Sequence, residues 1–258
     1  MTELALYEPA ICLPKGIKVF VTTRYGGCSQ GHWQSFNLAG HVQDDPAAVA
    51  QNRVLLRDQL MRATGSASLD LQWLNQVHGT KVHHALAHIT EPLPQADALY
   101  TTAVNLVCGV LTADCLPVVF CSTDREEIAV AHAGWRGLQK GVLENTLACF
   151  KAPAAQIIAW LGPAIGPCHF EVGSEVREAF LAAAVAGTAL ATEAAFSASA
   201  HEGKWFADLY QLARIRLLTA GLIQISGEPA CTVCNNTTWY SYRDSPVTGR
   251  FATLVVKT

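Results

Sequence analysis

One cysteine and two histidines stand out because each sits where an apolar, β-rich run of the chain ends. Cys115 lies between the runs 107–111 and 117–121, His132 closes the run 128–131, and His78 follows a candidate strand over 69–77. Strand ends are stiff, and a reactive site needs its groups held to within about 0.5 Å. Cys115 is followed by Leu116-Pro117, where proline removes a donor and fixes φ. Ala133-Gly134 follow His132 and Gly79 follows His78, small residues that let a ligand come close. A thiolate with two neutral imidazoles suits zinc, and three protein ligands leave the fourth position that catalytic zinc sites keep open. No short CxxC or HxxxH spacing joins the three residues, so buried thiol and core histidine remain alternatives. A nucleophile–base pair of Cys115 and His132 is another. His78 discriminates: a metal uses a second imidazole on the same thiolate, whereas a dyad does not.

The other candidates are weaker. Cys231 and Cys234 form a lone CxxC without the second pair that completes a structural zinc site, so they read as buried thiols near the pocket. His83, His84 and His88 lack a strand-end setting and are assigned to surface or edge positions. Arg24 opens a glycine-rich loop over 24–31 that lacks the GxxxxGK[ST] pattern of a nucleotide-triphosphate cradle. That loop reads equally as a hairpin turn or as a ligand contact made by Arg24. Arg53, Arg214 and Arg216 fall on solvated helix faces.

The elements that must position these residues follow in order. A strand over 18–23 leads to the glycine loop, and Asp44-Asp45-Pro46 starts a helix with Val49, Leu55, Leu56 and Leu60 at helical spacing. A short strand opens at Gln95-Ala96-Asp97. Beyond His132 the spacing predicts one helix over 137–150, a strand over 157–161, and a rigid loop over 162–168 able to wall a pocket. Ser174 is expected to cap a helix from Glu175, and the alanine-rich stretch 180–196 to be helix followed by loop. A helix over 210–220 and a closing strand over 252–256 complete the chain. The irregular interleaving predicts α+β architecture, one domain over residues 1–258 with mixed β-sheets flanked by helices.

Composition narrows the function class. Half of the 258 residues are apolar, 15% are charged and the formal charge is −3, so there is no basic field for nucleic acid. No stretch reaches the roughly twenty apolar residues of a membrane span. Nine cysteines, an odd number in a chain able to bury a full core, read as reduced thiols, and with no signal-peptide pattern the expected compartment is the cytoplasm.

The motifs TRYGGCSQG, FNLAGHVQDD, QNR, NQVHG, ADAL, LTADCLPVVF, AHAGWRG, LGPAIGPC and SYRDSPVTGR occur in this order over nearly the whole chain. Together they resemble the laccase-domain (multicopper polyphenol oxidase) family, whose YfiH-type bacterial members look like purine nucleoside phosphorylases and whose fold resembles toxin deamidases. The resemblance implies zinc held by His78, Cys115 and His132, which would then be the catalytic residues. It implies phosphorolysis of adenosine, inosine, guanosine and methylthioadenosine, together with adenosine deamination. Arg243, Arg136 and Arg24 are the phosphate candidates. The family's tail usually has two basic residues after the tyrosine, whereas here Tyr242 is followed by Arg243 and then Asp244. The implied partners are a purine nucleoside and phosphate, with no nucleic acid and no membrane, for a monomer or homodimer. A cysteine-dependent amide hydrolase editing peptidoglycan precursors is the alternative. Copper oxidase chemistry is disfavoured: no HxH pair is present, although a thiolate–imidazole site can take up copper adventitiously.

Overall fold

The computed structural model describes residues 6–227 and 229–258. Its centre is a pair of sheets packed face to face. One has five strands, in the spatial order Leu6–Tyr7, Ile17–Thr22, Phe251–Lys257, Leu106–Thr112 and Asp70–Gln72. The other has six, in the order Gln224–Ser226, Ile157–Leu161, Leu116–Ser122, Ile128–Ala133, Ala98–Thr101 and Val82–His84. Each sheet mixes parallel and antiparallel neighbours: Leu116–Ser122 runs antiparallel to both its neighbours, while Asp70–Gln72 lies parallel to Leu106–Thr112.

Side-chain alternation explains the layering, because successive residues of a strand face opposite sides. Val19, Val21, Cys108, Val110 and Val255 of the smaller sheet meet Val119, Cys121, Ile128 and Val130 of the larger in one buried layer. The outward residues Phe20, Val107, Leu111 and Leu254 pack with Leu56 and Leu60 of the helix Pro46–Thr64. On the far side, Val118, Phe120, Ala129 and Ala131 pack against the helices Trp135–Lys140, Val142–Leu147, Ser174–Ala182 and Leu209–Thr219. Helix, sheet, sheet and helices thus form four layers. A three-stranded sheet of Glu171–Gly173, Lys204–Ala207 and Phe196–Ala198 flanks the last.

Most predicted elements appear, with local differences. Asp45 caps the first long helix by accepting from the Ala47 amide, and Gly65 closes it in the left-handed region. The helix expected over 137–150 breaks in two at Gly141, whose φ of 99° ends one segment and opens the next. Of the strand expected over 69–77, only Asp70–Gln72 forms a ladder, and Asn75 makes a single parallel bridge to Gln95. Ser174 is the first helical residue rather than the cap, and its hydroxyl donates to the Gly203 carbonyl. The stretch 180–196 holds the end of one helix and a second, Ala189–Ala194.

Three arginines assigned to solvated faces are engaged instead. Arg53 donates to the Leu38 carbonyl at 3.0 Å and stacks over Trp73. Arg214 donates to the carbonyls of Ile225 and Gly227. Arg216 pairs with Glu144 at 2.7 Å. His83 and His84 do lie on an edge strand. Among the described residues, no helix is long and apolar enough to cross a membrane.

Candidate metal centre and cavity

The antiparallel strands Leu116–Ser122 and Ile128–Ala133 are registered so that Pro117 faces His132 and Leu116 faces Ala133. Cys115 therefore sits one rung beyond Leu116, opposite Gly134. By alternation Cys115 and His132 both point toward the sheet–sheet layer at its open end. His78 arrives from the loop that follows Asp70–Gln72, and its φ of 58° turns its side chain back toward the pair. Its Nε2 is 3.9 Å from Cys115 Sγ, and the His78 and His132 rings meet edge to face with centroids 4.9 Å apart. One ligand atom from each of the three residues lies within 4.8 Å of the others. For a zinc ion with Zn–S about 2.3 Å and Zn–N about 2.05 Å, the S···N edge of a tetrahedron is about 3.6 Å, so the donor set fits. Among the described residues, no fourth His, Cys, Asp or Glu joins it.

Space at the centre depends on Gly134. A Cβ there would lie 2.9 Å from Cys115 Sγ and 3.1 Å from His78 Cδ2, closer than such atoms pack. Orientation depends on Asp97, which is fully buried. Its Oδ1 accepts from the His78 amide and lies 2.9 Å from His132 Nδ1, while its Oδ2 accepts from the Val77 and Gly79 amides. A carboxylate only accepts, so His132 carries its proton on Nδ1 and turns Nε2 to the centre. Burial pushes the Asp97 carboxyl up, but His132 and the bonds from the Gly79 and Val77 amides outweigh it and hold the group below the usual carboxylate range.

The same electrostatics separate Cys115 from the other sheet cysteines. Burial raises its thiol, but His132 and His78 overcome this and bring it down to about 6. Burial likewise opposes charge on His132, yet Cys115 and Asp97 raise it to about 9. Cys108 and Cys121, buried among apolar neighbours, are pushed up to about 12.

The centre opens into a cavity of about 360 Å³, a volume in the range of small-molecule sites. Leu111, Ile165, Phe170, Trp135 and Tyr242 give it apolar and aromatic walls, and Arg136, Arg243 and Arg250 line it as cations. Arg136 lies over the Trp135 ring. Arg243 uses Nη1 to bind the His169 and Glu171 carbonyls, and its backbone amide donates to Asp114 Oδ2. Arg250, the last residue of the SYRDSPVTGR motif, is the third cation, a role its neighbours in sequence do not signal. Burial lowers its pKa, while Cys115 and Asp114 act to raise it.

Arg24 is not brought to this cavity. Its guanidinium binds the Gln34 and Asn236 carbonyls and stacks over Tyr240, so the glycine loop is held as structure. Cys231 and Cys234 also differ from the reading of a lone CxxC. Cys168 and His169, from the end of the 162–168 loop, bring their ligand atoms within 4.8 Å of both. Only Cys231 of that pair is buried, and Cys234 is exposed. The missing half of the set comes from more than sixty residues upstream, so spacing alone gave no signal of it.

Two packed sheets with cysteine–histidine ligand sets at one open end define an α+β protein built around candidate metal centres. The family model described as "Multi-copper polyphenol oxidoreductase laccase" matches residues 18–258, and the chain belongs to this family. It is 45% identical over 244 residues to the purine nucleoside phosphorylase YfiH of Escherichia coli, covering 94% of each chain. It is 44% identical over 244 residues to the purine nucleoside phosphorylase PA4543 of Pseudomonas aeruginosa, again covering 94% of each. The crystal structure of Neisseria meningitidis protein NMB0706 superposes with a TM-score of 0.89 at 41% identity over 98% of each chain. YlmD from Geobacillus stearothermophilus matches with a TM-score of 0.84 at 26% identity, over 100% of this chain and 97% of that one.

Proposed function

We propose that the protein is a zinc-dependent purine nucleoside phosphorylase that converts a nucleoside and phosphate to the free base and ribose 1-phosphate. Adenosine, inosine, guanosine and methylthioadenosine are its substrate class, with adenosine deamination as a second activity of the same site. The observation that carries this reading is one cavity holding three things together: a three-ligand centre, aromatic walls and three arginines. The relatives named purine nucleoside phosphorylase, at 44–45% identity, support it.

His78, Cys115 and His132 would hold the zinc, which when bound supplies Lewis-acid chemistry, polarising an oxygen and lowering the pKa of water. The chain's own residues do the rest. Trp135, Phe170 and Tyr242 offer faces for the purine. Arg136, Arg243 and Arg250 hold the phosphate and offset its charge, so that one oxygen is presented to the anomeric carbon of the ribose. As the new C–O bond forms, the glycosidic C–N bond breaks and its electron pair leaves on the base. Arg243 suits this role because Nη1 is fixed by two carbonyls, leaving Nε and Nη2 for an anion.

The lowered Cys115 thiol beside His132 is the one feature that also suits an amide hydrolase. His78 weighs against that reading, since it faces the same sulfur and a dyad has no use for it.

The test is product analysis of adenosine incubated with purified protein, with and without phosphate, alongside metal quantification on the same sample. Adenine is expected only with phosphate, and the Arg243→Ala variant is expected to raise the KM for phosphate with deamination less affected. No turnover by zinc-replete protein overturns the proposal, as does retained phosphorolysis in a folded Cys115→Ala variant that holds no metal at His78 and His132.

A further inference from the structure

We infer that Cys168, His169, Cys231 and Cys234 form a second metal site, a closed Cys3His centre for zinc that braces the phosphate side of the cavity. The geometry carries this. Cys168 Sγ and Cys234 Sγ are 3.6 Å apart, and His169 Nδ1 lies 3.2, 3.6 and 3.5 Å from the sulfurs of Cys168, Cys231 and Cys234. A tetrahedral zinc with Zn–S about 2.3 Å and Zn–N about 2.05 Å has S···S edges of about 3.8 Å and S···N edges of about 3.6 Å. Four side chains from two distant segments are thus placed at the corners such an ion requires. Reduced thiols held this near one another without an ion gain little, being weak donors and weak acceptors.

The surroundings fit a thiolate centre. Cys231 accepts hydrogen bonds from the Cys234 and Gly166 amides, the outer support that offsets negative charge on a ligating sulfur. Gly166 leaves the room: a Cβ there would come 3.0 Å from Cys231 Cβ and 3.5 Å from Cys168 Sγ. Four protein ligands of which three are cysteine mark a structural site, in contrast to the three-ligand set at Cys115.

The site ties the loop 162–170 to the tail, where Ala164 already bridges to Cys231. Two routes lead from it to the cavity. The His169 carbonyl accepts from Arg243 Nη1, and Thr232, beside Cys231, donates to Asp114 Oδ1 at 2.6 Å, next to Cys115. Losing the ion would loosen Arg243 and Phe170 while leaving the ligands at Cys115 in place.

Metal counting on protein produced with zinc supplementation tests this. Wild type is expected to hold two zinc ions per chain and Cys115→Ala one, and X-ray absorption of Cys115→Ala is expected to give three sulfurs and one nitrogen. Cys234→Ser is expected to lose one of the two ions and to melt at a lower temperature. A Cys115→Ala protein that is folded but metal-free overturns the inference, as does a Cys168–Cys234 disulfide found by mass spectrometry of freshly purified wild type. Because Cys115→Ala retains all four ligands, the count stands whether or not the protein turns over nucleosides.

Discussion

Asp97→Asn separates the geometry of the three-ligand centre from its chemistry. Asp97 meets four donors, two at each oxygen. Asparagine keeps one carbonyl oxygen and replaces the other by NH2, so two of the four donors face another donor whichever way it turns. If the NH2 faces Val77 and Gly79, the loop carrying His78 loses both its anchors at that oxygen. If it faces His132, the imidazole moves its proton to Nε2 and ceases to be a ligand in that tautomer. Outer partners of metal-bound histidines are worth about 10–100-fold in metal affinity, or about 1.4–2.7 kcal/mol. That matches the roughly 1.5–3 kcal/mol of a hydrogen bond to a charged group. The fold pays separately, since each stranded buried donor costs about 1–3 kcal/mol. The assay is competition for zinc against a chromophoric chelator, on variant protein shown by circular dichroism to be folded. Affinity at the Cys115 centre should fall 10–100-fold, with the Cys168 centre unchanged. Wild-type affinity at the Cys115 centre would refute the argument that Asp97 sets the ligand geometry.

Two further outcomes follow from particular contacts. In metal-free protein the imidazoles of His132 and His78 favour the deprotonated form of Cys115, so the rate of alkylation by iodoacetamide is expected to be half-maximal near pH 6, to level off above it and to fall below it. Site-resolved mass spectrometry checks it, with Cys108 and Cys121 unreactive because burial holds them up at about 12. A midpoint for Cys115 near the ordinary thiol value would mean that the imidazoles do not face it. For Tyr210→Phe, the lost hydroxyl donates to the Gly162 carbonyl and accepts from the Ala164 and Ala230 amides inside the core. The expected cost is about 1–3 kcal/mol, seen in thermal unfolding as roughly 2–4 °C per kcal/mol; an unchanged melting temperature would show that other groups take over those amides.

What was legible in the chain was what the chain specifies locally. Cys115 and His132 could be found because the runs beside them announce strands, and a residue at a strand end is placed by its own neighbours. Asp45 and Pro46 start a helix by contacts within three residues. In the sequence Asp97 reads only as the opening of a strand. Its role lies in catching amides 18–20 residues away, and nothing in its own neighbours announces that. Arg24 and Arg243 are both phosphate candidates by sequence, Arg24 the lesser, yet Arg24 gives its guanidinium to the Gln34 and Asn236 carbonyls and the face of Tyr240 while Arg243 reaches the cavity. The two ligand sets show the same division. The three residues at Cys115 were suggested by strand ends and glycines, although none is adjacent to another. The Cys231–Cys234 pair looked incomplete because its partners arrive through the bridge of Ala164 with Cys231, a long-range closure that spacing does not encode. A CxxC is half a site, and whether it stays half depends on which loop the fold lays beside it.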